Sequence, residues 1–173
     1  MDLLQKSAVE HLTLFRVIES HNFGSVVTIV TTDLEALYAY KCGDYHQCLQ
    51  LSTQNVHTLL NAKRVTVTCI IIVIFPEFIQ LLDDDIVSLT ALAAIVHHRS
   101  RLYGRYVGIT QLTLSLYLMT QCQLKLRHSV TSLAQTLHYI ENARKRHPPD
   151  FILDHLSLKL IKRKILSCIE HCS

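Results

Sequence analysis

Apolar residues recur every three to four positions along most of this chain, with polar residues between them, the signature of amphipathic helices. Leu4, Ala8, Leu12 and Phe15 share one face of a helix over 2–20, closed by Gly24 with Ser25 as the next cap. Val26, Val30, Leu34 and Leu37 continue a helical stripe. The run 26–32 is rich in β-branched residues and locally favours a strand, and Thr32 or Asp33 offers a cap for a new helix. The stripe keeps its phase across Asp33, however, which predicts one helix over 26–41. Cys48, Leu51, Asn55 and Leu59 mark the next helix, running to about residue 60. A helix over 86–96 is preceded by Asp83, Asp84 and Asp85 and followed by His97, His98 and Arg99, charges that complement its dipole at both ends. Leu112, Leu116, Met119 and Gln123 define a helix over 109–126. Arg127 and His128 turn the chain, Ser129 caps, and Leu133, Leu137, Ile140 and Ala143 follow in register over 130–146. Pro148 and Pro149 end that pair, and Leu158, Ile161, Ile165 and Cys168 stripe a last helix over 150–170.

Segment 61–82 breaks this rhythm. Residues 65–75 are apolar and β-branched, which fits a buried strand or an unusually apolar helix. An isolated strand leaves its backbone groups unpaired, and no second strand is evident elsewhere, so helix is the expectation. Pro76 suits the first turn of a short helix over 76–82, and 100–108, with Gly104 and Gly108, reads as a linker.

The clearest local unit is 34–51, two helices joined at Gly43 and Asp44, with Tyr45 opening the second. Ala36 and Ala39 lie before the turn and Cys48 and Ser52 after it, and small side chains let helical backbones approach closely. This unit resembles a tetratricopeptide (TPR) hairpin over 34–56, with Ala36, Gly43, Tyr45 and Cys48 at small or aromatic positions of the repeat. Ser52 stands where a large aromatic is common, and no proline closes the unit. The pair over 109–148 shares the helix–turn–helix layout and the final Pro148 but lacks Gly-Asp-Tyr. No strict 34-residue period is present, and 61–108 does not read as a repeat. The resemblance implies an all-α stack of antiparallel helical hairpins, a TPR-like right-handed superhelix of about seven helices. It also implies a non-catalytic scaffold that binds a protein or peptide in a groove between hairpins, with Tyr38, Tyr40, Tyr45 and His46 as candidate groove residues.

Composition narrows this picture only slightly. A 49% hydrophobic, 18% charged chain of 173 residues sustains a core as a single domain, and four glycines and three prolines are few for an all-β fold. No obvious polar helix caps the array before Ser173, so the expectation is either a fragment of a longer repeat protein or an atypical terminus. The opening segment carries Asp2, Lys6, Glu10 and Arg16 and so lacks the apolar core of a signal peptide. The run 65–75 is about half the ~20 apolar residues a membrane span needs. The six cysteines sit in helical patterns without marks of secretion, so they read as reduced thiols in an intracellular, cytoplasmic protein.

Candidate chemistry is thin. Cys42, His46 and Cys48, or Cys168, His171 and Cys172, lack the paired short spacings of structural zinc. Asp83, Asp84 and Asp85 diverge as consecutive side chains and are explained by helix capping. No nucleophile elbow, zinc-protease or phosphate-loop motif accompanies the eleven histidines, so the reading is of no enzyme and no cofactor. Arg144, Lys145, Arg146, Lys159, Lys162 and Arg163 form the alternative site, a basic surface for nucleic acid or an acidic surface, although a net charge of +3 does not demand one. A third reading makes the chain an accessory arm of a larger enzyme.

Overall fold

A computed structural model describes residues 24–61, 68–69, 84–100, 109–146 and 152–172. They form six helices: α1 (Gly24–Lys41), α2 (Tyr45–Asn61), α3 (Asp84–Ser100), α4 (Gln111–Lys125), α5 (Val130–Arg146) and α6 (Ile152–Cys172). The helices expected over 2–20 and 76–82 lie outside the described residues, as does the expected linker 100–108 apart from Ser100, which is the last residue of α3.

The β-branched start of α1 does not interrupt it, and Asp33 caps nothing: it lies in mid-helix and is fully buried. Tertiary packing outweighs a local propensity worth a few tenths of a kcal/mol per residue, of order 0.5. The α1–α2 turn closes with two backbone bonds. The Asp44 N–H donates to the Ala39 carbonyl (2.9 Å) and the Gly43 N–H to that of Tyr40 (3.1 Å), with Gly43 at φ 82°. Asp44 then caps α2, its Oδ1 accepting from the Gln47 N–H at 3.0 Å. Ala36, Ala39, Cys48 and Ser52 are all buried, as expected of small residues at a close helix contact.

Two expectations are corrected. Residues 109–110 are extended rather than helical and pair antiparallel with Thr68–Cys69, Thr68 opposite Thr110 and Cys69 opposite Ile109. Thr68 and Cys69 thus have the strand partner that the sequence pattern left undetected. Thr110 is the N-cap of α4, its hydroxyl accepting from the Thr113 N–H. The second correction concerns α4, which has no solvent face. Residues 111–123 are buried on every side because α1, α2, α5 and α6 all pack around this one helix. Several of its inward polar groups are met locally or across helices, as when the Thr120 hydroxyl donates to the Leu116 carbonyl at 2.8 Å.

Among the described residues, no helix is long and apolar enough to cross a membrane.

Candidate binding cleft

Helices α4 and α6 run parallel. Near their starts, the Thr110 N–H donates to Asp154 Oδ1 at 2.8 Å, and their later turns meet again around Gln121 and Leu124. There the helices part to leave an open cleft of about 580 Å³. Helix α6 contributes Leu160, Arg163, Lys164, Ser167, Cys168 and His171, a spacing that puts all six on one face. Leu124, Leu160 and Cys168 supply apolar wall, while Arg163 and His171 are exposed.

Among the described residues, those lining this cleft include no carboxylate. Lys164 is tied to Asp85 of α3, so the acidic start of α3 serves a tertiary ion pair as well as its own dipole. Gln121 is only 5% exposed, and its Nε2 has no hydrogen-bond partner among the described residues. A buried amide donor without an acceptor costs about 1–3 kcal/mol. The cleft therefore combines apolar wall with the positive charge of Arg163, an arrangement that suits a carboxylate beside an apolar side chain.

A second, smaller cleft of about 200 Å³ lies between α2, α4 and α5. Its polar groups largely satisfy one another. Gln123 Oε1 accepts from the Thr136 hydroxyl (2.8 Å), and Gln123 Nε2 donates to Ser132 Oγ (3.3 Å). Gln135 Nε2 donates to the Tyr139 oxygen (2.8 Å), and the Tyr139 ring meets His57 edge-on at 5.5 Å. These contacts join the two hairpins and leave little unused valence for a ligand.

The third polar cluster is sealed. Asp33 Oδ1 accepts from Ser115 Oγ of α4 (2.5 Å) and Asn55 Nδ2 of α2 (3.0 Å), while Asn55 also donates to the Ile29 carbonyl (3.0 Å). Burial pushes the Asp33 carboxyl up to about 7, against the opposing pull of these two hydrogen bonds. Nearby, contact between the Cys48 and Cys122 thiols lowers Cys48 and raises Cys122.

The sequence-derived candidates fall in separate places. Tyr40 and Tyr45 pack edge-to-face at 5.6 Å and 62° across the α1–α2 turn, and both rest on the core. Tyr38, two residues from Tyr40, faces away from it on the helix and hydrogen-bonds with Cys42. His46 is exposed. Among the basic residues, Arg144, Lys145 and Lys159 are exposed, whereas Lys162 donates to Glu141 at 2.5 Å and holds its carboxyl below the usual range. The side chain of Arg146 lies outside the described residues. Only Arg163 of the basic set lines the cleft. Gln121 and Ser167 escape a reading of the sequence because neither carries charge or motif. The 160/163/167/171 spacing is the one signal that points to this face.

Among the described residues, no group of three or more histidine, cysteine or carboxylate side chains is placed to hold a metal ion. Compared with protein families, curated proteins and solved structures, the chain matches none of them.

Proposed function

We propose that this chain is a TPR-like helical array acting as a non-catalytic scaffold, which holds an acidic peptide segment of a partner protein in the cleft between α4 and α6. The observation that carries this reading is the order of helix packing. Helix α1 packs on its hairpin partner α2 and on α4; α2 packs on α4 and, over a smaller interface, on α5; α4 packs on α5 and α6; and α5 packs on α6. Each hairpin thus meets the next one along the chain, as in a solenoid of stacked repeats. The insert between the hairpins is an elaboration whose helix α3 rests on α6. In such a stack α1, α4 and α6 are the first helices of successive units, and the cleft lies between the last two of them. Charge complementarity selects the occupant: the exposed guanidinium of Arg163 favours glutamate or aspartate, and Leu124 and Leu160 favour an adjacent apolar residue.

The test is fluorescence anisotropy with a labelled synthetic peptide alternating glutamate and leucine, against its lysine–leucine counterpart. Saturable binding of the acidic peptide alone, weakened at least tenfold by Arg163→Glu combined with Gln121→Leu, supports the reading. Equal binding of both peptides, or indifference to the substitutions, overturns it. Retention of a single-stranded oligonucleotide with a steep loss on adding salt, mapped to Arg144, Lys145 and Lys159, supports nucleic-acid binding instead.

A further inference from the structure

Three helices converge on one carboxyl group. Asp33 comes from α1, its donors from α2 and α4, and both donors bind the same oxygen, Oδ1. Oδ2 is enclosed and has no hydrogen-bond partner among the described residues. An anion held this way has one oxygen solvated by the protein and the other by nothing, whereas a neutral carboxyl places its proton on Oδ2 and keeps both bonds to Oδ1.

We propose that the Asp33–Asn55–Ser115 junction is a proton-operated latch, which locks the first hairpin onto α4 while Asp33 is neutral and loosens that seam when Asp33 ionises. The latch stands apart from the cleft between α4 and α6, and peptide binding there is not needed for it to work. Its sign follows from the carboxyl being raised from 3.8 to about 7 by burial. The contribution to packing is complete below the unfolded value and is lost as pH rises through about 7.

Among the described residues no counterion faces this charge: the influences on the Asp33 carboxyl are burial and its two hydrogen bonds. The ionisable residues of the packed elements are few. Helix α1 carries Glu35, Tyr38, Tyr40 and Lys41; α2 carries Tyr45, His46, Cys48 and His57; and α4 carries Tyr117, Cys122 and Lys125. Of these, Cys48 is lowered chiefly by its contact with Cys122, and the Asp33 charge acts on it as a smaller influence in the opposite direction. His46 and His57 are exposed.

Hydrogen exchange of the full chain between pH 5.5 and 8.5, corrected for intrinsic rates, reads the latch directly. Linkage makes protection of this seam fall by up to about tenfold per pH unit as pH rises toward the midpoint near 7, and level off above it. The expected pattern is that loss in α1 and α2, flat protection in α6, and flat profiles throughout Asp33→Asn, whose amide is neutral at every pH. Flat protection of α1 in the wild type, or an equal loss in all helices, overturns the proposal. If Asp33→Asn does not fold, carbon-13 titration of the wild-type Asp33 carboxyl decides: a midpoint near 7 supports the latch, and one near the ordinary value of about 4 overturns it.

Discussion

Gly43 and Arg127 occupy the same backbone position in two successive hairpins. Each is the second residue after a helix, in the left-handed region at φ 82° and 52°. Each turn also closes through the same pair of bonds. In the second turn the His128 N–H donates to the Gln123 carbonyl (2.9 Å) and the Arg127 N–H to that of Leu124 (3.3 Å), matching Asp44 to Ala39 and Gly43 to Tyr40. Ser129 then caps α5, its hydroxyl accepting from the Ser132 N–H, as Asp44 caps α2.

That equivalence makes opposite predictions for the two sites. A Cβ at residue 43 meets no atom within 4 Å, so only its φ penalises a side chain. Gly43→Ala is expected to destabilise the fold by about 1 kcal/mol, and Arg127→Gly to stabilise it by a similar amount. Urea midpoints at constant m-value measure both.

Removing the Ser115 hydroxyl strips one donor from buried Asp33. Ser115→Ala is expected to cost about 1–3 kcal/mol. Because the lost bond favours the ionised carboxyl, the cost is expected to be greater at pH 8 than at pH 5. Equilibrium unfolding at the two pH values gives the comparison.

Gln121→Leu separates stability from binding. Removing the buried Nε2, which has no hydrogen-bond partner among the described residues, is expected to leave stability unchanged or raise it by about 1 kcal/mol. Acidic-peptide affinity is expected to fall in the same protein. Thermal unfolding and anisotropy on one preparation test the pair of outcomes.

Leu116 and Lys162 contrast core with surface. Leu116 is fully buried at the centre of α4, and Leu116→Ala is expected to cost about 2–5 kcal/mol. The Lys162–Glu141 pair is more than a third exposed on both sides, so Lys162→Ala is expected to cost under about 1 kcal/mol, less at high salt. Denaturant titrations with and without added salt distinguish the two.

Much of the local architecture was legible in the chain itself. Hydrophobic phase carried α1 through a β-branched run, and glycine, aspartate and serine marked the hairpin turns. The two boundaries of α5 follow from Ser129 and the prolines after Arg146. These features depend on residues a few positions apart, where side-chain spacing and backbone preference act directly.

What surrounds each helix was decided only by tertiary structure. Periodicity reports which face of a helix is most apolar, not how many faces are covered, so the stripe in α4 gave no hint that residues 111–123 are all buried. The carboxyl of Asp33 resembles a cap until Ser115, 82 positions away, meets it in the interior. The cleft between α4 and α6 likewise depends on Gln121 facing residues some forty positions later, and on Lys164 being drawn to Asp85. Local sequence specifies helices and turns because their hydrogen bonds close within four residues. Burial, pKa and binding geometry depend on neighbours brought together by packing, and one sequence read along its length does not show which neighbours those are.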